Sequence, residues 1–209
     1  MKKRVIFLLV LVAILASAMI LFAKFSLSEK SSREKIVVTP DIFGRVKLNG
    51  GYIGLSYDFS QVKMLKIGDD RIEVIDKKTG KLLDAYGEEI KSLDNGRSQY
   101  IVYREKENDF GILRLYTIFE TQEENGNKEI GKVVGKYWDI MSRSGWYIEN
   151  QHVVTISTTG NFPTTEIETG GTVTIVKNRV YRDINSLFLK KNYEFIRKNI
   201  DLGYRYSLY

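Results

Sequence analysis

Beyond residue 36, apolar and polar residues alternate along most of the chain, and turn residues interrupt the alternation about every ten residues. From Gly44 to Asn49, Val46 and Leu48 alternate with charged and polar neighbours, and Asn49-Gly50 offers the positive backbone angles of a tight hairpin turn. Val, Ile, Thr, Tyr and Trp, which suit a half-buried pleated surface, dominate these segments. The pattern predicts a mainly β domain, an antiparallel meander folded as a sandwich, a jelly roll or an open barrel.

Individual hairpins can be placed along this meander. A strand at Arg71 to Ile75 precedes a lysine-rich turn that ends at Gly80. Strands at Tyr100 to Tyr103 and Ile112 to Phe119 form a hairpin joined by a charged loop. The two glycine pairs, Gly50-Gly51 and Gly170-Gly171, are interpreted as hairpin turns, since neither is followed by the Lys-Ser/Thr or the helix of a phosphate-binding loop.

One segment near the C-terminus favours a helix instead. Leu189, Tyr193, Ile196 and Ile200 are spaced by four, three and four residues, with Asn185 or Ser186 as the cap and Gly203 as the stop. A strand remains the alternative, because Tyr193 and Phe195 also alternate. The last residues return to alternation, with Leu202, Tyr204, Tyr206 and Leu208 on one face.

The N-terminus carries the longest apolar run. Val5 to Ala23 contains no charge, and at 1.5 Å per residue it is roughly 28 Å long, close to the thickness of a bilayer core. Ala16-Ser17-Ala18 fits a signal-peptidase site, but cleavage there would leave an exposed apolar end, so we expect a retained transmembrane anchor. Its apolar residues include Val5, Leu9, Val12, Leu15, Met19 and Phe22.

This anchor divides the chain into four parts. Residues 1–4 form a basic cytoplasmic head, 5–23 the anchor, 24–35 a polar linker and 36–209 the extracytoplasmic β-rich domain. The expected location is therefore the inner membrane, with a single span, the N-terminus in the cytoplasm and the domain in the periplasm.

Composition narrows the chemistry. The chain of 209 residues has no cysteine, which excludes disulfides, thiol catalysis, cysteine-based metal sites and a lipoprotein anchor. The net charge of +6 belongs to the two ends of the chain, and the middle is slightly acidic. The first basic cluster flanks the apolar run, where basic residues set membrane topology and contact anionic lipid headgroups. We therefore expect no nucleic acid partner.

The sequence contains no recognisable catalytic constellation. His152 is the only histidine and lies within a predicted strand, where a structural role is expected. The acidic pairs Asp69-Asp70, Glu88-Glu89 and Glu123-Glu124 lie in or beside predicted turns and are expected to be solvated surface. We therefore expect neither an enzyme nor a cofactor or metal site.

Short Gly-x-Val-x-aliphatic strands carry a resemblance to a known family. The segments are Gly44 to Leu48, Gly171 to Ile175 and, in part, Val154 to Ile156. With one anchor, a polar linker and a cysteine-free meander, the chain resembles the LptC family, the bitopic bridge of lipopolysaccharide export, or a related OstA-like β-jellyroll. The resemblance implies a jellyroll whose apolar interior accepts acyl chains from an inner-membrane transporter and passes them along a continuous sheet. The candidate lipid- or partner-facing residues are Val46, Leu48, Val154, Ile156, Val173 and Ile175.

Three functions are compatible with these features. The first is a membrane-anchored periplasmic protein that binds lipid, lipopolysaccharide or the sheets of envelope proteins by β-strand augmentation. The second is a structural envelope or assembly protein without a ligand. The third is a small outer-membrane β-barrel with a cleaved signal peptide. This function is suggested by the C-terminal residues Asp201 to Tyr209, which resemble the sorting signal of outer-membrane β-barrels.

Overall fold

Antiparallel strands account for almost all of the chain that can be described. The computed structural model describes residues 34–124, 126–143, 145–182 and 191–209. Among them no helix is long and apolar enough to cross a membrane. The predicted anchor with its residues, the candidate cleavage site and most of the linker lie outside the described residues, as do Asn185, Ser186 and Leu189.

Twelve strands and one short 3-10 turn, Asp94–Gly96, form in the described residues. The strands are β1 Lys35–Val38, β2 Arg45–Lys47, β3 Tyr52–Gly54, β4 Val62–Ile67, β5 Arg71–Asp76, β6 Leu82–Ser92, β7 Ser98–Asn108, β8 Gly111–Glu124, β9 Asn127–Ser142, β10 Trp146–Ser157, β11 Glu166–Arg182 and β12 Lys191–Ser207.

The strands build two sheets that pack as a sandwich. The larger sheet has the order β1-β4-β5-β6-β7-β8-β9, and the smaller has the order β10-β11-β12-β3-β2. The meander β4 to β9 joins neighbours in sequence by antiparallel pairing, as do β10 to β12. The prediction of a mainly β, antiparallel fold is confirmed, and the sandwich is the predicted architecture that the two sheets fit.

The core lies between the sheets and follows the alternation of the strands. In β8 every second residue from Gly111 to Thr121 is buried, so one face of the strand lines the interior. The rings of Tyr100 and Phe119 stack with centroids 5.1 Å apart, and Tyr206 from the other sheet packs 5.5 Å from Phe119. Aromatic side chains thus fill the space between the sheets at this end of the sandwich.

A short polar column crosses the same interior. The Tyr204 hydroxyl donates to Thr117 Oγ1 at 2.7 Å, and the Thr117 and Thr169 hydroxyls lie 2.7 Å apart. Both threonines are fully buried, so these bonds satisfy polar groups that have no access to water. The column connects β8 of the larger sheet with β11 and β12 of the smaller one.

The predicted C-terminal helix is wrong. Residues 191–207 form β12, which pairs with β11 along its whole length, from Lys191 opposite Arg182 to Ser207 opposite Glu166. The helical spacing of Ile196 and Ile200 is also compatible with a strand, since both are even-numbered and share one face with Leu202. Pairing with a long neighbour outweighs the local periodicity.

Turn predictions were correct where the turn is short and local. Gly80, with a φ of 70°, closes the turn after β5 as predicted, and Asn49-Gly50 lies in the predicted β2–β3 hairpin, although without a positive φ. Gly170-Gly171 is not a turn, because both residues lie inside β11. The charged loop expected after Tyr103 is mostly strand, since β7 continues to Asn108.

Candidate functional site

One side of β12 lacks a neighbouring strand along most of its length. Directly after β12, the Leu208 amide donates to the carbonyl of Thr165, the residue that precedes β11. The even-numbered residues of β12 therefore direct their backbone groups toward β11. The odd-numbered residues direct theirs to the other side, where β3 pairs with residues 205–207. No other strand in the described residues pairs there. We call this side, over residues 191–204, the free edge.

Arg104 closes the end of the free edge nearest to β3. Its Nη1 donates to the Gly203 carbonyl at 2.7 Å, which is the odd-numbered carbonyl next to the β3 pairing. Its Nε and Nη2 donate to the two carboxylate oxygens of Asp84 at 2.9 and 3.0 Å. This forked contact fixes the guanidinium, so a side chain from the larger sheet satisfies one edge carbonyl of the smaller sheet.

Two tyrosines complete the surroundings of this ion pair. Tyr57 donates its hydroxyl to Asp84, and the Arg104 guanidinium lies 5.5 Å from the ring centre of Tyr86. Burial raises the pKa of the Tyr86 hydroxyl to about 12 and raises the pKa of Tyr57 even further. Both hydroxyls therefore remain protonated at physiological pH, and the cluster holds one cation against one carboxylate.

A cleft of about 550 Å³ opens beside this cluster. It is lined by residues of β3 and β12 and of the segment that follows β3, among them Gly54, Tyr57, Gly203 and Tyr204. Its exposed arginine, Arg205, is held by Glu166 at 3.4 Å and Glu168 at 3.3 Å. The cleft is therefore polar and nearly balanced in charge, and it leaves open space at the point where β3 ends and the free edge begins.

The remainder of the free edge carries exposed side chains on its outer face. Phe195 is 48% exposed, and Arg197, Asn199 and Asp201 are exposed as well. Arg197 lies 3.6 Å from Glu149, and Asn199 accepts a hydrogen bond of 3.0 Å from Thr174. These contacts leave the backbone groups of the odd-numbered residues accessible to a further strand.

The six candidate residues of the sequence analysis fall into two groups. Val46, Leu48, Val173 and Ile175 are buried in the core between the sheets. Val154 and Ile156 lie on the outer face of β10, 43% and 54% exposed. The structure therefore does not bring the six residues together on one surface.

The other residues singled out in the sequence have mixed outcomes. His152 lies in β10, as predicted, with an exposed side chain. Asp69-Asp70 lies in the turn between β4 and β5, and Glu123-Glu124 is exposed at the end of β8. In the part of the chain that is described, no group of three or more His, Asp or Glu side chains is placed to hold a metal ion.

The surface assignment of Glu88 is wrong. Its side chain is buried in the middle of β6, accepts a hydrogen bond of 2.7 Å from the Tyr206 hydroxyl and accepts another from the Gly50 amide. Burial raises the pKa of this carboxyl, although both hydrogen bonds oppose the change. Glu88 therefore joins the larger sheet to the β2–β3 turn and to β12.

The chain was compared with known families, curated proteins and solved structures. No family model, no curated protein and no solved structure matches the chain. Inferences about function therefore rest on the geometry of the free edge and on the sequence.

The key residues of the site were missed in the sequence. Asp84 and Arg104 are 20 residues apart, and Arg104 begins the run Arg-Glu-Lys-Glu-Asn, which looks like a loop. The signal that could have placed Arg104 is the alternation Tyr100, Val102, Arg104, which continues the inward face of β7. The free edge itself has no sequence signal, because it depends on how long β3 is relative to β12.

Proposed function

We propose that this protein is a membrane-tethered, β-rich protein of the cell envelope whose domain binds an extended segment of a partner protein along the free edge. The observation that carries the proposal is the one-sided pairing of β12: among the residues that the structure describes, no strand pairs with the outward backbone groups of residues 195–203. An accessible strand edge of this length is a template for β-augmentation. Within this role, the resemblance to the LptC family implies a bridge in lipopolysaccharide export.

The tether is supported by the sequence. The uncharged run Val5 to Ala23 is long enough to span a bilayer, and the basic residues 2–4 favour a cytoplasmic N-terminus. A single span would hold the domain on the periplasmic side of the inner membrane. A tethered domain meets membrane partners at a raised effective concentration, which favours weak contacts such as strand pairing.

The packing of the interior favours the edge over the space between the sheets as the binding surface. Tyr100, Phe119 and Tyr206 fill one part of that space with stacked and tilted rings. The polar column of Thr117, Thr169 and Tyr204 crosses the next part. An acyl chain placed there would have to displace these side chains, whereas a strand added at the free edge displaces none of them.

Photocrosslinking in the native membrane tests the proposal. Benzoylphenylalanine replaces Phe195, which is already aromatic and exposed at the free edge, and in a second variant it replaces Tyr147 on the outer face of β10. Tyr147 is the matched control because it is aromatic and 40% exposed. We expect a protein adduct at position 195 and none of comparable yield at position 147.

A proline substitution shows whether backbone pairing produces the adduct. Asn199→Pro removes an amide that points to the free edge and forms no ladder bond within the protein. Asn199→Ala removes the side chain and keeps that amide. The adduct at position 195 should disappear with Asn199→Pro and persist with Asn199→Ala. Equal adducts in both variants, or none at position 195, would contradict binding along the edge.

A further inference from the structure

β11 and β12 continue beyond the rest of the sandwich as a two-stranded arm. β10 pairs with β11 only as far as Lys177. Beyond it, five further pairs join residues 178–182 of β11 to residues 191–195 of β12, and in the described residues no third strand flanks these pairs. We call these two paired segments the arm. At about 3.3 Å per residue, the arm is roughly 17 Å long.

The sandwich ends where the arm begins. Lys198 Nζ lies 3.6 Å from Asp109, in the β7–β8 turn, and 5.7 Å from the ring centre of Trp146, the first residue of β10. Lys177 Nζ lies 5.6 Å from the same ring. A two-stranded ribbon alone is marginally stable in water, and here the contacts of two lysines with one indole hold its base to the sandwich. The arm therefore projects from the end of the domain that carries the β7–β8 turn.

Positive charge is concentrated at the arm, while the rest of the domain is acidic. Residues 36–176 contain 17 bases and 21 acids. The arm with its base, residues 177–182 and 191–198, contains one acid, Glu194. Its six bases are Lys177, Arg179, Arg182, Lys191, Arg197 and Lys198.

The charges at the base differ from those on the arm itself. At the base, Lys198 lies 3.6 Å from Asp109, and Arg197 lies 3.6 Å from Glu149. On the arm, Arg179 is exposed to solvent. The acidic neighbours of the sandwich thus offset the cations at the base, and the net positive charge of the domain extends along the arm.

We propose that the arm contacts the surface of a bilayer that contains anionic lipid and thereby orients the tethered domain. The inference rests on the membrane tether of the proposed function and does not depend on what binds the free edge. The complementary groups are the lipid phosphates, which are negatively charged at physiological pH.

The tether brings the arm within reach of the bilayer. The linker, residues 24–35, spans at most about 43 Å when it is fully extended. A domain of this length has a radius of gyration of about 16 Å, so the linker can span its diameter. The tether alone therefore does not decide which end of the domain faces the lipid. Charge does, because anionic lipid repels the acidic body and attracts the basic arm.

A weak contact is sufficient for a domain that is already tethered. Each Lys or Arg close to an anionic surface favours the bound state by about fivefold. The tether makes this binding intramolecular, so a few cations on the arm shift the balance between orientations. The attraction falls off within a Debye length, and the contact should therefore weaken as the salt concentration rises.

The sequence between the two strands favours a bilayer over another anionic partner. Residues 183–190 lie outside the described residues, and their sequence includes four large apolar residues, Ile184, Leu187, Phe188 and Leu189. Apolar area and Lys or Arg charge together determine how strongly a protein segment binds a lipid interface. A nucleic acid would offer phosphate charge without an apolar medium.

A fluorescent probe on the arm tests the contact. The chain contains no cysteine, so Asn192→Cys introduces one thiol in the arm, which is labelled with the environment-sensitive dye NBD. The full-length protein is reconstituted into vesicles of phosphatidylcholine, alone or with about one third phosphatidylglycerol as the anionic lipid. We expect brighter, blue-shifted emission only with phosphatidylglycerol. The change should disappear in about 1 M salt, where the Debye length is about 3 Å.

The matched control places the same probe at the other end of β11. Asn161→Cys lies between β10 and β11 and is exposed. Its emission should be the same in the two lipid compositions, because the acidic body stays away from anionic lipid.

Removal of charge provides the second readout. The arm variant combines Arg179→Gln, Arg182→Gln and Lys191→Gln. It should lower the phosphatidylglycerol response of the residue-192 probe by about tenfold or more. The control variant removes three exposed lysines of the body and combines Lys63→Gln, Lys91→Gln and Lys136→Gln. It changes the net charge equally and should leave the response in place. Urea unfolding curves that match the parent show that both variants remain folded.

The outcomes separate this proposal from the one on which it rests. Protein that does not float with phosphatidylcholine vesicles lacks the anchor, which overturns the tether and the arm contact together. Floating protein with equal residue-192 emission in both lipid compositions, or with an equal response at residue 161, overturns the arm contact and leaves the tether in place. A full response in the arm variant overturns the role of its charges. A missing position-195 adduct overturns edge binding alone.

Discussion

The two halves of β12 both pair with β11 along their whole length, but their surroundings differ in other respects. In the C-terminal half, Leu202, Tyr204 and Tyr206 are buried and β3 covers the outer edge at residues 205–207. In the N-terminal half, residues 195–201 carry exposed charged and aromatic side chains and their edge has no strand partner in the described chain. One half therefore stabilises the fold, and the other presents an accessible surface.

The transition between the halves is set by a single contact. Arg104, held by Asp84, donates to the carbonyl of Gly203, the next odd-numbered residue beyond Arg205, where the pairing with β3 ends. A protein that exposes a strand edge has to limit how much of it is available. Here the larger sheet supplies the limit through one buried ion pair.

The largest difference between the halves is expected for two aromatic truncations. Tyr206→Ala removes a fully buried ring and leaves the buried Glu88 without its 2.7 Å donor, so it should lower the free energy of unfolding by about 4 kcal/mol. Phe195→Ala, in dilute protein, should change the same quantity by less than about 0.5 kcal/mol. Urea unfolding followed by tryptophan fluorescence measures both. Similar losses for the two variants would contradict the division of β12 into halves.

The next largest effect concerns the contact that separates the halves. Arg104→Met leaves the Asp84 carboxylate buried without its forked partner and should cost about 3 kcal/mol of unfolding free energy. Arg205→Met removes an arginine whose side chain is 54% exposed, so about 1 kcal/mol or less is expected. Urea midpoints at one pH compare the two. A smaller loss for Arg104→Met than for Arg205→Met would show that the ion pair with Asp84 does not hold the site.

The sequence predicted the C-terminal half of β12 better than the N-terminal half for a physical reason. Leu202, Tyr204, Tyr206 and Leu208 are inward residues of a strand flanked by β11 and β3, so burial and alternation coincide. At residues 195–201 the outer face is exposed, and Ile196 and Ile200 are spaced as in a helix. Only pairing with β11, which local periodicity does not encode, decides between strand and helix.

The site itself was beyond sequence reasoning because it depends on register between distant strands. Strand periodicity correctly indicated sheets, and therefore the existence of edges. Which edge stays free depends on the three residues of β3 lying beside the seventeen of β12. Glu88 shows the same limit, because its acidic neighbour suggested a surface turn, while pairing with β7 places it in the middle of β6.

The pH dependence of the free energy of unfolding tests the contribution of Glu88, which contacts the C-terminal half of β12 through Tyr206. Because burial raises the folded-state pKa of Glu88, its contribution to stability is present below its unfolded pKa and is lost as the pH rises through the raised value. Between about pH 5 and about pH 8, Glu88→Gln should therefore lose less stability than the parent protein.

The matched control is Glu89→Gln, at the exposed neighbouring position. Its urea midpoints should change with pH in parallel with those of the parent. If Glu88→Gln also followed the parent, ionisation of Glu88 would not contribute to the pH dependence.

The smallest effect separates two adjacent glycines of β11. A Cβ at Gly170 meets open space, so Gly170→Ala should stabilise the domain by about 0.5 kcal/mol through reduced chain entropy in the unfolded state. A Cβ at Gly171 would lie 2.7 Å from the His152 carbonyl and 3.1 Å from Trp138, so Gly171→Ala should destabilise it. Thermal unfolding of the two variants should thus shift in opposite directions. A destabilised Gly170→Ala would mean that the fold of a single chain requires glycine at this position of the outer face.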